Sequence, residues 1–407
     1  MSKHRQTDRV RHARIEALEP DLRRAFHLAM QMMAIPGKSG QEGALAEFLL
    51  SHLRAAGTPA ESLRIDRANR RTPIRGDTGN VILRLPGTQR APRRLFTAHM
   101  DTVPICVGCR PVRHGCLVRS ADENTGLGAD DRAGCAVLLN TVLCLLETGV
   151  PRPPLTFCWF IQEETGLHGS RNVSRSLLGN PQLGFNWDGG APAKLTVGAT
   201  GGYRMLIEVQ GLASHAGGAP EHGISAIAVA ALAIADLQRA GWHGDIHKNG
   251  RHGTSNFGHI SGGDATNVVT DRVVVRAEAR SHHPKFRRQI VAAIQNSFAR
   301  AAREVRNTEG VCGKVRITGR LDYESFLLPN DEPCVLQAEH AVRAIGREPE
   351  RAVTNGGLDA NWLVRHGIPT VTLGCGQQNP HTANEALDVA DFEDACRVCL
   401  RLATALE

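Results

Sequence analysis

The sequence contains few aromatic residues, since phenylalanine, tryptophan and tyrosine make up only 4% of its 407 residues. Proteins that bind single-stranded nucleic acids stack the bases on aromatic side chains, so this scarcity argues against a nucleic-acid partner. The sequence also lacks an apolar run long enough to cross a membrane. Its first residues include no apolar segment of the kind found in secretory signals, and we therefore expect a cytoplasmic protein without a membrane partner.

Positive charge is in modest excess, because 48 lysines and arginines stand against 41 aspartates and glutamates. Most basic residues are arginines spread along the chain, and the densest group lies in residues 1–20. We predict that this segment is a solvated tail or a first helix. An arm that binds a polyanion is the alternative.

The eleven cysteines are an odd number in a chain with no secretory signal, and most lie in apolar segments. Free, buried thiols in a reducing compartment account for this pattern. Two C-x-x-C pairs, Cys106/Cys109 and Cys396/Cys399, leave a structural zinc site or a redox pair as alternatives.

The length of the chain predicts two domains. Helical and strand-like segments alternate in residues 21–200 and again in 316–407, which indicates an α/β domain with a mixed sheet covered on both faces. Segment 201–315 follows the order β-α-β-β-α-β of a ferredoxin-like fold, and we predict that it is a domain inserted into the larger one.

Polar residues follow several apolar strand-like segments, at the edge of an α/β sheet where binding sites form. Each of them has an ordinary explanation, such as a helix cap, an Asp-Gly turn or an exposed loop. Together, two histidines and three carboxylates are the ligand types of zinc, and one shared carboxylate would serve a pair of ions. Seven polar residues are candidates for this site, and two histidines with three of the five carboxylates would suffice as ligands: His99, Asp101, Asp130, Glu163, Glu164, Asp188 and His381.

Five motifs in this order resemble the co-catalytic zinc metallopeptidases, a family that includes peptidase T, carboxypeptidase G and aminoacylase. They are "TAHMDTVP", "GADDRAGCA", "IQEETGLHGS", "NWDGG" and "PHTANE". The aspartate at position 188 and the segment "NGGLDANWL" resemble the peptidase T branch in particular. The resemblance implies a catalytic α/β domain, 21–200 with 316–407, and an inserted lid and dimerisation domain, 201–315.

The resemblance also implies a role for each residue of the site. His99, Asp130 and Asp188 would bind one Zn²⁺, and Asp130, Glu164 and His381 the other, with Co²⁺ or Mn²⁺ as substitutes. Asp101 would orient His99. Glu163 would act as the general base toward a water that bridges the two metals and attacks the scissile carbonyl.

Further roles are implied for the inserted domain. His215 would reach the active site of the partner subunit in a homodimer and stabilise the oxyanion. Arg280 and Asn267 would bind a substrate carboxylate, and Gly356 and Gly357 would line the site. Simple turn or strand positions remain open as explanations for all five residues.

The sequence thus predicts a two-zinc hydrolase of short peptides, similar to the aminopeptidase peptidase T, with tripeptides among its candidate substrates. An N-acyl-amino-acid amidohydrolase or a carboxypeptidase on the same scaffold is the alternative, because the same metals serve any amide. A non-catalytic zinc-binding protein is disfavoured because the chain retains Glu163 together with all the ligand types.

Overall fold

The computed structural model describes residues 18–404, so most of the basic segment 1–20 lies outside the described residues. Two compact units divide the chain. The second unit consists of Ala199–Phe326 and Thr354–Gly357, and the first contains the other described residues. The assignment of a catalytic domain and a lid domain to particular residue ranges stays a prediction.

The secondary structure of residues 18–404 is numbered here in chain order. The strands are β1 Leu63–Ile65, β2 Val81–Leu85, β3 Arg94–His99, β4 Pro111–His114, β5 Leu117–Ser120, β6 Leu155–Phe160, β7 Leu183–Trp187, β8 Lys194–Ala199, β9 Gly201–Gln210, β10 Gly244–Lys248, β11 Arg251–Ser261, β12 Arg272–Ser281, β13 Lys314–Tyr323, β14 Phe326–Leu327, β15 Glu350–Thr354, β16 Thr370–Leu373, β17 Gln377–Gln378 and β18 Ala386–Asp388. The α-helices are α1 Leu22–Ala34, α2 Gly43–Ala55, α3 Ala129–Thr148, α4 His168–Arg171, α5 Arg175–Leu178, α6 Ala226–Arg239, α7 Pro284–Glu304, α8 Pro333–Arg343, α9 Asp359–Arg365 and α10 Val389–Thr404. Short 3-10 helices cover Ala60–Ser62, Ala68–Arg71, Pro104–Cys106 and Pro220–His222.

A large mixed sheet forms the core of the first unit, in the order β1-β2-β6-β3-β7-β16-β8-β14, with β15 paired to β8. Its centre is parallel, because β3 runs parallel to β6 and β7, and β16 runs parallel to β7. All residues of β3 and β6 are buried. Strands covered on both faces are mostly apolar, which is why these segments lack a regular alternation of apolar and polar residues. The mixed α/β class predicted from the sequence is confirmed.

The parallel strands end at a common edge of this sheet, and the predicted site residues follow those ends. His99 is the last residue of β3, and Asp188 comes directly after β7. Glu163 and Glu164 follow β6, and the loop that contains His381 follows β16. The buried helix α3, which packs against β3, contributes Asp130 from its first turn. The order of strands therefore brings residues distant in sequence to one edge.

A second, four-stranded sheet in the first unit was not expected from the sequence. Its order is β17-β18-β5-β4, and β4 and β5 form a hairpin between His99 and Asp130. Strands β17 and β18 flank the loop of His381, a segment for which the sequence predicted only a polar loop. These strands are two to four residues long, too short for a hydrophobic pattern to reveal them.

An antiparallel sheet forms the second unit, in the order β10-β11-β12-β9-β13, and helices α6 and α7 pack against it. The four strands of the predicted ferredoxin-like order are present. The additional edge strand β10 was not predicted from the sequence. Only Ile246 of its five residues is buried, so the segment gave a weak strand signal.

None of the helices in residues 18–404 combines the length and the apolar character that a membrane span requires.

Candidate metal centre

His99 is buried at the end of β3, and its contacts fix the orientation of its ring. Its backbone N–H donates to Asp131 Oδ2 at 3.0 Å. Its ring atom Nδ1 lies 3.0 Å from the carbonyl oxygen of Asp101 and 3.5 Å from Asp101 Oδ1. The carbonyl, rather than the carboxylate predicted to orient this ring, therefore makes the shorter contact. Nε2 faces the carboxylate cluster and lies 3.1 Å from Asp130 Oδ1.

The carboxylate of Asp101 organises the turn that follows β6. It accepts hydrogen bonds from the backbone N–H of Glu163 at 2.9 Å and from that of Glu164 at 3.2 Å. The hydroxyl of Ser39 donates to Asp101 Oδ2 at 2.6 Å. Asp101 thus links the position of His99 to the positions of both glutamates. Sequence reasoning missed Ser39, which lies in an ordinary polar segment without a motif.

Asp130 lies between the two histidines. Its Oδ1 is 3.1 Å from His99 Nε2, and its Oδ2 is 3.2 Å from His381 Nε2. The carboxylate of Glu385 accepts the backbone N–H of Asp130 at 3.0 Å and that of Gly128 at 2.7 Å. Glu385 therefore anchors the backbone that presents Asp130. Glu385 was not predicted as a site residue, although its acidic side chain four positions after His381 was an available signal.

Two groups of three potential metal ligands share Asp130. The first contains His99 and Asp188, whose nearest atoms Nε2 and Oδ1 are 3.9 Å apart. The second contains His381 and Glu164, with 2.9 Å between Nε2 and Oε2. Within each group the potential ligand atoms all lie within 4.8 Å of one another. One imidazole and two carboxylates in each group suit zinc and similar divalent ions, so the residues fit the predicted metals.

The electrostatics of the cluster favour bound cations. Burial, followed by the charge of Asp130, raises the pKa of Asp188 to about 8. Burial also raises the pKa of Glu164 above its ordinary value. Hydrogen bonds to Asp130 and Glu164 raise the pKa of His381 to about 10. Crowded carboxylates in a buried place resist ionisation, and a divalent ion in each group would supply the positive charge that offsets their repulsion.

Glu163 is buried beside the two groups but belongs to neither of them among the described residues. Burial is the largest influence on its carboxyl, whose pKa is raised well above the ordinary range. The charge of His99 acts in the opposite direction, and that of Asp188 adds to the rise. The adjacent glutamates therefore lie in different surroundings, since Glu164 contacts His381 and Glu163 does not take part in either group.

The remaining predicted residues lie in the second unit. His215 is in a loop, where its Nδ1 accepts the backbone N–H groups of Gly217 at 3.1 Å and Gly218 at 2.8 Å. Asn267 is its neighbour in this unit, because the carbonyl of Asn267 accepts the backbone N–H of Ala216 at 2.9 Å.

Arg280 on β12 makes a two-pronged contact with Glu278, through Nε to Oε1 at 2.9 Å and Nη2 to Oε2 at 3.1 Å. Its Nη1 donates to the carbonyl of Asn355 at 3.4 Å, which places it near the turn that contains Gly356 and Gly357. Gly357 packs against the Tyr323 ring, where a β-carbon would lie 2.6 Å from a ring atom. The second unit therefore contains two groups of predicted residues. His215 lies near Asn267, and Arg280 lies near the turn of Gly356 and Gly357.

The cysteines are free, and the four residues of the C-x-x-C pairs are buried. Among residues 18–404, no cysteine belongs to a group of potential metal ligands. Burial raises the pKa of the Cys109 thiol to about 11, which disfavours the thiolate that a zinc site needs.

Comparison with known proteins places the chain in a family. Residues 95–405 match the family "Peptidase family M20/M25/M40". An uncharacterised protein of Bacillus subtilis, YqjE, is 33% identical over 315 residues, which are 77% of this chain and 81% of that protein. A tripeptidase from Staphylococcus aureus has a similar structure, with a TM-score of 0.85 and 27% identity over 95% of this chain and 99% of its own. The aminopeptidase PepT from Bacillus cereus has a TM-score of 0.81 and 30% identity over 95% and 98% of the two chains. The chain therefore belongs to peptidase family M20/M25/M40, with its likeness to the peptidase T branch confirmed, and is a hydrolase that acts on peptide bonds.

Proposed function

We propose that the protein is a two-zinc peptidase that cleaves short peptides, in the manner of the aminopeptidase peptidase T. The observation that carries this proposal is the pair of ligand groups that share Asp130, with Glu163 buried beside them. A single metal site would not need a shared carboxylate. The prediction that His99, Asp188, Glu164 and His381 are the other ligands agrees with this grouping.

The residues of the chain divide the chemistry among them. Bound ions would polarise the scissile carbonyl and lower the pKa of a water molecule. Asp130 and its four neighbours would hold the ions, and Asp101 holds the backbone of Glu163 and Glu164 in place. Glu163 takes a proton from the attacking water and delivers it to the departing amine. Since Glu163 is outside both ligand groups, its carboxylate is available for this transfer.

The second unit is proposed to recognise the substrate. Arg280 offers a guanidinium suited to the two oxygens of a peptide carboxylate. Glu278 occupies that guanidinium in the present structure, so a substrate carboxylate would take the place of Glu278. Asn267 and the turn of Gly356 and Gly357 would complete the contact. His215 would act in the partner's active site of a homodimer, which we propose to be cytoplasmic.

Tripeptides are the proposed substrates, because a tripeptidase and the aminopeptidase PepT are among the similar structures. An N-acyl-amino-acid amidohydrolase or a carboxypeptidase remains the second candidate, since a metal pair hydrolyses any amide that the site admits. The three activities differ in the end of the substrate that must be free. An aminopeptidase requires a free α-amine, whereas the other two accept a blocked one.

A panel of matched substrates tests this proposal. The same tripeptide would be offered with both ends free, with an acetylated N-terminus and with an amidated C-terminus, alongside dipeptides and N-acyl amino acids. We expect the enzyme to cleave the free tripeptide and to lose this activity when the tripeptide is acetylated or when a chelator is added. Elemental analysis should find two metal ions per chain. Preferred cleavage of the acetylated form would favour the second candidate. Hydrolysis that is unaffected by chelation would refute the metal mechanism.

A further inference from the structure

A third group of potential metal ligands lies on the surface of the second unit, in the hairpin of β10 and β11. Asp245, His247 and His252 each offer one donor atom, and these atoms lie within 4.8 Å of one another. We refer to these three residues as the hairpin cluster. It contains none of the residues assigned to the metal centre or to substrate recognition.

The register of the hairpin brings the three side chains together. His247 pairs directly with His252 across the two strands, and Asp245 stands two residues before His247 on the same face. Asn249 and Gly250 connect the strands with φ values of 53° and 69°. Positive φ at both central residues is typical of a type I′ turn, which fixes the pairing of the strands it joins. The cluster is therefore a product of backbone geometry.

The opposite face of β10 anchors the hairpin to the unit. Ile246 is fully buried in the hydrophobic core of the second unit. Lys248 donates from Nζ to the carbonyl of Ala240 at 2.9 Å and lies 4.9 Å from the centre of the Trp242 ring. Because neighbouring residues of a strand face opposite sides, this anchorage directs Asp245 and His247 to solvent. An ion in solution can reach them, since their side chains are 67% and 69% exposed.

Both imidazoles converge on one carboxylate. Asp245 Oδ1 lies 2.6 Å from His252 Nε2, and Oδ2 lies 2.9 Å from His247 Nε2. The two imidazole rings stack with their centres 4.6 Å apart. Tetrahedral zinc, with bonds of about 2.0–2.1 Å, needs donor atoms roughly 3.3 Å apart. Small rotations of exposed side chains would bring the present arrangement to that spacing.

We propose that the hairpin cluster binds a divalent transition metal ion, with Zn²⁺ as the reference ion. Two imidazoles and one carboxylate are the ligand types that zinc, nickel and copper take from proteins. The three ligands leave a position for water. The site is separate from the proposed catalysis, because none of its members belongs to the two ligand groups that share Asp130 or takes part in the proposed chemistry.

Metal stoichiometry tests the proposal on the full-length protein. The wild type would be loaded with Zn²⁺, freed of excess ion and titrated with further Zn²⁺ against a chromophoric chelator. We expect a third equivalent beyond the two of the metal centre. The double variant His247→Ala/His252→Ala should lose that third equivalent and keep the other two, with turnover of a peptide substrate unchanged.

The matched control removes two exposed histidines outside the cluster, in His222→Ala/His259→Ala, and should retain three equivalents. Asp245→Asn keeps both imidazoles and should lower the affinity for the third ion without changing the fold of the hairpin. The proposal is overturned if His247→Ala/His252→Ala binds as many ions as the wild type. If the proposed catalytic function were wrong, the ions that remain in the double variant would number fewer than two, or the wild type would not hydrolyse peptides.

Discussion

The metal centre of the first unit and the hairpin cluster of the second use the same side chains in opposite surroundings. The centre is assembled from distant segments and is buried except at His381, whereas the cluster lies within residues 245–252 and faces solvent. Burial raises the pKa of Asp188 to about 8, while hydrogen bonds from His252 and His247 lower the pKa of Asp245. The buried carboxylates therefore need cations to offset their repulsion. The exposed carboxylate is already solvated and paired, so a metal there is optional for folding.

The largest effect is expected for Asp130→Asn, which removes the charge shared by both ligand groups. Both ions should bind poorly and peptide hydrolysis should fall to background, because a neutral amide is a weak ligand for zinc. Elemental analysis measures the bound metal, and an activity assay measures peptide hydrolysis. Asp331→Asn, which alters an exposed aspartate of the same unit, is the control and should leave both quantities unchanged. Full activity of Asp130→Asn would exclude a shared ligand.

A large effect on stability is expected for Ile246→Ala, which tests the anchorage of the hairpin cluster. Removal of a fully buried isoleucine side chain should lower the free energy of unfolding by about 2–5 kcal/mol. Chemical denaturation measures this loss. The matched control is Ile260→Ala on β11, where the side chain is 53% exposed, and it should have a much smaller effect. Equal losses in the two variants would mean that Ile246 does not anchor β10.

An intermediate effect is expected for Glu385→Gln, which tests how the buried centre is held. The carboxylate accepts the backbone N–H groups of Gly128 and Asp130 with its two oxygens, and the amide can accept only one of them. Loss of a residue that orients a ligand typically weakens metal affinity about 10–100-fold. Competition with a chelator measures the affinity, and added metal should restore turnover. If turnover fell without any change in metal affinity, Glu385 would not act by positioning Asp130.

The smallest effect is expected for Gly250→Ala in the turn of the hairpin. An alanine at φ of 69° strains the backbone, and the unfolding free energy should fall by about 1–2 kcal/mol. Gly250→Asn should cost less, because asparagine tolerates this conformation. Thermal denaturation compares the two variants. Equal stability of Gly250→Ala and the wild type would show that the turn does not fix the register.

The same contrast explains what could be predicted from the sequence. The central strands and the buried helix α3 are mostly apolar, so the α/β fold class and the polar residues at the ends of these elements could be predicted. Edge strand β10 has one buried residue, and its contribution to the sheet depends on the tertiary core beneath Ile246. Glu385 and Ser39 act through hydrogen bonds to distant backbone or side-chain atoms. Such contacts leave no local pattern in the sequence. The metal-ligand motifs could be recognised because they resemble those of the co-catalytic zinc metallopeptidases.

The adjacent glutamates provide the most direct test of the central claim, which assigns Glu163 to proton transfer and Glu164 to metal binding. Glu163→Gln and Glu164→Gln would be compared for metal content and for turnover of one peptide substrate. Glu163→Gln should retain both ions of the metal centre while turnover falls by roughly 10²–10⁴-fold. Glu164→Gln should lose one ion, because it belongs to one ligand group. Loss of metal from Glu163→Gln, with metal retained in Glu164→Gln, would contradict the account.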